Sequence, residues 1–257
     1  MRYKCIVSYD GTLFHGFQSQ ENNKAVANQR TIEDEICKAL KVICKEDVTI
    51  YASGRTDAKV HAIGQVFHFD TNIEMKESNM KRAINSLLPE DIYIKEVEIV
   101  SNDFHARFSA KKKEYHYLIA LDEYDPLRKN YLHYPLYKNF DINKMEEASK
   151  IFIGEHDFKS FTKNHELENT IRTIYSIDFE VVTKDDRPDI LKIKFIGNGF
   201  LHNMVRILVA MIFMVGIGKL SKEELKSILA KKNRQFAPKT APASGLYLYK
   251  VYYWEKT

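Results

Sequence analysis

The 257-residue sequence has only three cysteines, Cys5, Cys37 and Cys44. They form no Cys-x-x-Cys pair, and no Cys/His cluster has the spacing of a zinc site. The nine histidines also lack the His-x-x-x-His spacing of a helical metal site. We therefore expect no metal. A sparse, odd number of thiols is typical of the reducing cytosol, which predicts a cytoplasmic protein.

Several common catalytic motifs are missing as well. There is no Gly-x-Gly-x-x-Gly and no P-loop, which argues against dinucleotide and nucleoside triphosphate chemistry. Ser53, Ser109 and Ser160 lack the context of a nucleophile elbow. The most apolar run, residues 207–217, is shorter than the ~20 residues that span a bilayer, so it predicts a buried helix.

The composition is that of a folded globular protein. Hydrophobic residues make up 44% of the chain and charged residues 29%, which excludes a disordered chain. The formal net charge is +4. This mildly basic balance is compatible with an RNA partner but is weak support for one.

Apolar spacing predicts strands and helices in both halves of the chain. Strands are expected at residues 3–9, 48–52, 65–69, 92–100, 114–121, 171–182, 190–196 and 246–254. Helices are expected from residue 31 and at 78–88, 141–151, 201–215 and 221–230, and residues 21–30 are expected to form a loop. This order predicts an α+β fold with two similar halves, residues 1–105 and 106–257, built on mixed, mainly antiparallel sheets.

A polar segment between two predicted strands, residues 53–62, carries Arg55, Asp57, Lys59 and His61. It is too polar for a core. From the local sequence alone, a surface turn whose aspartate bonds to its own backbone is the better interpretation. The alternative is a catalytic loop in which Asp57 is the reactive group.

Arg206 lies within the most apolar helical pattern. Burying an unpaired charge costs several kcal/mol, so Arg206 needs either a carboxylate or a route to water. Asp57 is one candidate partner. The other interpretation is that Arg206 extends to the surface or caps nearby carbonyls. If the two pair, the arginine favours the ionised carboxylate, which suits a nucleophile better than a general acid.

A run of three lysines, from Lys111 to Lys113, leads into a predicted strand with Tyr115 and Tyr117 on one face. Lysines beside aromatic rings suit RNA, because the cations meet phosphates while a ring stacks on an exposed base. Taken alone, a solvated lysine run before an ordinary amphipathic strand is the preferred interpretation of the segment.

Together these segments resemble the tRNA pseudouridine synthase A family. Residues 54–62 (GRTDAKVHA), followed by residues 64–66 (GQV), are similar to its signature around a nucleophilic aspartate. Residues 105–110 (HARFSA) with 115–117 (YHY) resemble its second motif, and residues 200–206 (FLHNMVR) its third. Gly11, residues 16–18 (GFQ) and residues 243–248 (ASGLYL) also fit. The matches run in order from about residue 3 to 253.

The resemblance implies an activity and roles for individual residues. The fold would be the pseudouridine synthase fold with a central catalytic cleft. The activity would be isomerisation of uridine to pseudouridine in the anticodon stem-loop of tRNA, at positions 38, 39 and 40, by a homodimer without cofactor or metal. Asp57 would be the nucleophile, Arg206 its salt-bridge partner and Tyr115 the residue against the target base. Arg55 would hold the flipped-out nucleotide, and Leu246 would line the pocket. Further candidates for binding the RNA are Lys59, His61, Arg107, Lys111 and Lys112.

One position departs from the family pattern. Lys59 stands where the family usually has glycine, which indicates a positive φ or tight packing beside the nucleophile. We expect either a strained lysine or a differently shaped loop. We hypothesise that Lys59 changes which uridines are accepted.

Two other functions compete with the isomerase. A non-catalytic RNA-binding protein or tRNA-folding factor could share the fold, although RNA affinity alone does not require the Asp57 carboxylate. A glycoside hydrolase is disfavoured, because the motifs hold no second carboxylate to act as the acid.

Overall fold

The computed structural model describes residues 1–19, 29–164, 166–185 and 187–253. Most of the loop expected at residues 21–30 lies outside this part of the chain. Among the described residues there are nine strands and five α-helices, in this order along the chain: β1 (Arg2–Tyr9), α1 (Ile32–Cys44), β2 (Ile50–Ala52), β3 (His61–Asp70), α2 (Glu77–Leu87), β4 (Ile92–Val100), β5 (Lys112–Ala120), α3 (Ile142–Ser149), β6 (Gly154–Asp157), β7 (Ile171–Lys184), β8 (Arg187–Gly197), α4 (Met204–Gly216), α5 (Lys222–Lys231) and β9 (Leu246–Tyr252).

The chain divides into two compact units. The first comprises Met1–Lys111 and the chain from Tyr247 onward, and the second comprises Lys112–Leu246. The sequence predicted two halves, residues 1–105 and 106–257, with the final strand in the second half. The difference arises because β9 pairs with β3, a contact between distant parts of the sequence that local patterns do not reveal.

In the first unit, β3 is the central strand. It pairs antiparallel with β1, which in turn pairs antiparallel with β4. The other side of β3 pairs antiparallel with β2 at Phe67–Phe69 and parallel with β9 at His61 and Ala62. One edge of β3 therefore holds two short partners, and the chain between β2 and the start of β3 is the loop that carries Asp57.

The core of the first unit follows the predicted alternation. Alternate side chains of β1 are buried, and the Tyr3 ring stacks on Phe69 with centroids 5.3 Å apart. Helix α1 begins after Thr31, whose side chain accepts a hydrogen bond from the Asp34 amide at 3.2 Å. It ends at Lys45, which adopts the left-handed conformation common at helix C-termini.

The second unit contains β5, β8, β7 and β6, each pairing antiparallel with the next. Helix α4 is buried over most of its surface. It begins three residues later than expected, because Asn203 has a φ of 61° and interrupts the helical backbone. The short strand β6 was not predicted, since its four residues show no alternation of buried and exposed side chains.

These observations confirm the predicted α+β class with mainly antiparallel sheets. In the described part of the chain, none of the helices combines the length and apolarity needed to cross a membrane.

Candidate active site

Asp57 opens a tight turn between β2 and β3. The Val60 amide donates to the Asp57 carbonyl at 3.2 Å, and Lys59 has a φ of +64° while Ala58 does not have a positive φ. A positive φ at the third of four residues defines a type II turn, whose third position normally holds glycine. The Asp57 side chain is half-buried, whereas Ala58 and Lys59 are exposed. Of the two expectations for Lys59, the structure shows the left-handed lysine.

Buried side-chain hydrogen bonds fix the start of this loop. The Ser53 hydroxyl donates to Gln65 Oε1 at 2.7 Å, and Gln65 Nε2 donates to the Gly54 carbonyl at 2.8 Å. The Ser53 amide also donates to the Val66 carbonyl at 2.7 Å. Neither Ser53 nor Gln65 is a candidate site residue from the sequence, although Gln65 belongs to the motif at residues 64–66. Both tie the residues before Asp57 to β3.

The backbone of residues 11–17 supports the other side of the loop. The Phe17 amide donates to the Thr56 carbonyl at 3.2 Å, and the Lys59 amide donates to the Phe14 carbonyl at 3.1 Å. The hydroxyls of Tyr9 and Thr56 share a buried hydrogen bond of 2.7 Å. The residues on both sides of Asp57 are therefore held by main-chain contacts.

Two glycines make this approach possible. A Cβ atom added to Gly11 would lie 2.1 Å from the Val60 carbonyl oxygen, closer than any real contact. Gly16 has a φ of +105°, and a Cβ there would lie 2.9 Å from the Thr56 carbonyl oxygen. We call residues 11–17 the glycine cradle. It gives a physical reason for the N-terminal motif that the sequence resemblance included.

The remaining candidates in the first unit differ in exposure. Arg55, Arg107 and Lys111 are exposed. His61 is only 2% exposed; its Nδ1 accepts a hydrogen bond from the Gly11 amide at 3.1 Å, and its ring stacks on Tyr247 at 4.7 Å. These contacts give His61 a role in joining the glycine cradle to β3 and β9. A role in binding RNA remains a prediction.

A carboxyl group that sequence analysis missed lies at the start of α1. Glu33 accepts a hydrogen bond from the Ser19 amide at 2.7 Å. Burial raises the pKa of this carboxyl, while the positive charge of Arg55 acts in the opposite direction. Within the described residues, no group of three or more His, Cys, Asp or Glu side chains is arranged to hold a metal ion.

In the second unit, Tyr115 lies on β5 and is 9% exposed. The Phe200 ring meets it edge to face, with centroids 5.1 Å apart and an interplanar angle of 79°. Tyr117, two residues further on, is fully buried, and its hydroxyl donates to the Pro242 carbonyl at 2.9 Å. Packing and the β5–β8 pairing thus leave the Tyr115 ring little freedom.

Arg206 lies in the first turn of α4 and is half-buried. Its Nε donates to the Ala241 carbonyl at 2.8 Å, and the Ala241 amide donates back to the Arg206 carbonyl at 3.0 Å. Capping of a nearby carbonyl is one of the roles that the sequence left open for Arg206. It uses one of the five N–H donors of the guanidinium and fixes its plane.

The last two candidates differ from each other. Leu246 is buried at the start of β9. Lys112 is exposed, with its ammonium 5.2 Å from the centre of the Tyr175 ring. Asp57, Arg55 and Lys59 thus share one loop of the first unit, while Tyr115 and Arg206 are separately anchored in the second.

Similarity to known proteins identifies the family of this chain. A family model described as tRNA pseudouridine synthase matches residues 5–109 and 148–254. The chain belongs to the tRNA pseudouridine synthase family. Curated relatives named tRNA pseudouridine synthase A are 43% identical in Bacillus licheniformis and 43% identical in Bacillus subtilis, and each alignment covers 98% of this chain and 99% of the relative. The relative from Bacillus cereus named tRNA pseudouridine synthase A 1 is 46% identical, with 98% of both chains covered.

Among solved structures, a chain of a Cbf5-Nop10-Gar1 complex aligns with a TM-score of 0.33 and 13% identity. The alignment covers 81% of this chain and 56% of that one. A likeness at this level carries no argument about function, so the family assignment depends on the sequence matches.

The contact between Gly11 and Val60 yields a stability prediction. We expect Gly11→Ala to reduce the free energy of unfolding by about 2 kcal/mol or more, because the new methyl meets a carbonyl that is held in place. Gly218→Ala is the control: Gly218 has a φ of +71° but no neighbour within 4 Å, so only backbone strain of about 1 kcal/mol is expected. Urea titration followed by circular dichroism measures both. Equal losses would show that the cradle is not a close steric fit.

Proposed function

We propose that this protein isomerises uridine to pseudouridine in tRNA, at positions 38, 39 and 40 of the anticodon stem-loop, with Asp57 as the nucleophile. The observation that carries the proposal is the Asp57 turn. A half-buried carboxylate opens a type II turn that two glycines and a buried Ser–Gln pair hold in place. Membership of the tRNA pseudouridine synthase family identifies the reaction as formation of pseudouridine.

The reaction is an isomerisation with no net redox change. The bond between uracil N1 and ribose C1′ breaks, the freed uracil rotates, and a new bond forms between C5 and C1′. N1 gains a proton and C5 loses one, so no cofactor is required. Asp57 promotes cleavage of the glycosidic bond by attack on the sugar or the base, or by removing the C2′ proton.

The target nucleotide must first leave its stacked stem, which costs a few kcal/mol. Exposed Arg55, Arg107, Lys111 and Lys112 supply cations that offset this cost through contacts with phosphates. In this proposal Arg55 holds the extruded nucleotide, because it lies two residues from Asp57 on the same loop.

Tyr115 stacks on the uracil. A flat ring lets the freed base turn in its own plane while preventing its escape, and Phe200 fixes the Tyr115 ring from the side. Leu246 contributes an apolar wall to the pocket. A rigid platform suits this role better than a mobile one, because the detached base has no covalent tether.

Arg206 stabilises the ionised form of Asp57 in this proposal. Its contact with Ala241 sets the direction of the guanidinium before substrate arrives, which reduces reorganisation during the reaction.

The assembly is a homodimer that acts in the cytoplasm without metal or cofactor, as the family resemblance implies.

The central test uses tRNA carrying tritium at uridine C5. Pseudouridine formation releases that tritium to water. We expect release by the wild type and a loss of roughly 10⁴-fold for Asp57→Ala, because the nucleophile is removed. Asp47→Ala is the control, since the Asp47 side chain is 86% exposed and lies before β2. Full release by Asp57→Ala would overturn the assignment.

The same assay separates the competing functions. An RNA-binding protein without catalysis would bind tRNA and release no tritium. A hydrolase would liberate free uracil, which chromatography of the reaction mixture detects. The half-buried Glu33 carboxyl makes this control necessary.

Arg206→Leu tests the second catalytic role. We expect turnover to fall about 100-fold with tRNA affinity changed little, because the guanidinium acts on Asp57 rather than on bound RNA. Arg82→Leu, on the exposed face of α2, is the matched control. Equal losses of turnover and affinity would indicate that Arg206 positions the substrate. A double variant with Asp57→Asn measures whether the two residues are coupled.

Lys59→Gly tests the departure from the family pattern. Lys45 and Lys232 also have positive φ values, at helix ends, so Lys45→Gly and Lys232→Gly are matched controls for strain. Each variant should relieve backbone strain of about 1 kcal/mol. Only Lys59→Gly should change the pattern of modified uridines and lower the salt dependence of tRNA binding, because it removes a cation beside Asp57. An unchanged pattern and salt dependence would refute the hypothesis.

A further inference from the structure

Phe108 is the most conspicuous side chain of the first unit that the proposed mechanism leaves unused. Its ring is 75% exposed, although it lies within the motif at residues 105–110. A single exposed apolar residue is ordinary on a protein surface and by itself indicates nothing. The loop that carries Phe108, and the groups beside its ring, distinguish it from other exposed residues.

Hydrogen bonds within residues 105–109 close a tight loop. The Ser109 amide donates to the His105 carbonyl at 2.9 Å, and the His105 amide donates to the Ser109 hydroxyl at 3.0 Å. The Nδ1 atom of His105 accepts from the Arg107 amide at 3.1 Å and from the Phe108 amide at 3.4 Å. The His105 imidazole therefore fixes the backbone that carries Phe108, because it accepts hydrogen bonds from that backbone.

The loop is also anchored to the body of the first unit through Ala106. This residue is fully buried; its amide donates to His68 Nδ1 at 3.1 Å, and its carbonyl accepts from the Tyr253 hydroxyl at 2.6 Å. An exposed aromatic ring on an anchored loop loses little conformational entropy when it binds a partner.

Flat rings and one cation surround Phe108. The His105 ring lies 4.3 Å from it, tilted by 37°, and the Arg107 guanidinium carbon lies 5.9 Å from its centre. Burial, together with the charges of Arg2 and Arg107, lowers the pKa of His105, which favours the neutral imidazole. Tyr51, also exposed, lies 5.6 Å from His105 and extends the aromatic surface.

We propose that Phe108, His105 and Arg107 form a stacking platform that binds one unpaired nucleobase of the RNA, with Arg107 on an adjacent phosphate. The proposal builds on the proposed tRNA substrate but concerns recognition rather than chemistry. A flat apolar face beside a planar cation matches the two parts of a nucleotide. Lys111, exposed three residues beyond Phe108, adds a cation for the next phosphate.

A protein partner fits this surface less well. One exposed phenylalanine offers at most ~200 Å² of ring surface, whereas a stable interface buries ~800 Å² on each partner. Tyr51 extends this aromatic surface, but the Arg107 guanidinium beside the Phe108 ring suits a phosphate better than an apolar protein surface. An interface between copies of this chain is therefore an outcome for the experiment to test.

The experiment compares Phe108→Leu with Phe108→Trp. Leucine keeps apolar surface but cannot stack, whereas tryptophan stacks at least as well. Tyr93→Leu is the matched control, because Tyr93 is 52% exposed and has the Lys81 ammonium 5.7 Å from its ring centre but lies on a regular strand. Affinity for tRNA is measured by fluorescence anisotropy, and turnover at saturating tRNA by tritium release.

We expect Phe108→Leu to weaken tRNA binding by about 5- to 100-fold, the range for losing one stacked base. Phe108→Trp and Tyr93→Leu should bind like the wild type, and turnover at saturation should be unchanged in all three. Arg107→Ala should reduce the slope of log affinity against log salt by about one. Thermal unfolding confirms that each variant folds.

Either of two results would overturn the proposal. Equal affinity of Phe108→Leu and wild type would show that no base stacks there. A change in the sedimentation equilibrium of Phe108→Leu without RNA, with affinity per dimer unchanged, would assign the surface to contact between copies. Both results leave tritium release by the wild type intact, so they are distinct from failure of the proposed isomerase activity.

Discussion

The close approach of the Gly11 backbone to the Val60 carbonyl is the constraint on which the Asp57 loop depends. No other residue type fits there, because even one methyl group would collide with the main chain of the turn. Once residues 11–17 lie in this position, the amides of Phe17 and Lys59 can each reach a carbonyl across the loop. Asp57 is therefore positioned by backbone contacts of the residues on both sides of it. The same contacts hold Lys59, the third residue of the turn, in a left-handed conformation that suits glycine better than lysine.

The second unit uses the same principle with different contacts. Arg206 and Tyr115 are each restrained by neighbours of their own: a carbonyl in one case and an aromatic edge in the other. Groups that are positioned before the substrate arrives need not reorganise during the reaction. The loop at residues 105–109 extends this principle to recognition, since an imidazole cap orders it without help from a ligand.

The sequence predicted much of this arrangement, and its failures have physical causes. Hydrophobic periodicity located α1, α2, β1 and β8, because each of these elements buries one face. It missed β6, which is short and shows no alternation, and it grouped β9 with the second half, because pairing between distant strands leaves no local pattern. Family motifs located the Asp57 loop and gave a positive φ at Lys59 as one of two alternatives, and the structure shows the positive φ. They could not reveal that His61 is buried, or that Ser53 and Gln65 form hydrogen bonds at the start of the loop, since those contacts exist only in three dimensions.

The pairing of β3 with β9 has a consequence for how the protein is made. His61 and Ala62 emerge from the ribosome early, but the strand that hydrogen-bonds to them follows only after the whole second unit. During synthesis, the edge of β3 next to the Asp57 loop stays uncovered, and an uncovered strand edge invites pairing with other chains. The nascent protein therefore carries an uncovered strand edge, which is an aggregation hazard, beside the Asp57 loop. Strand β9 removes that hazard when it pairs with β3, and it completes the first unit.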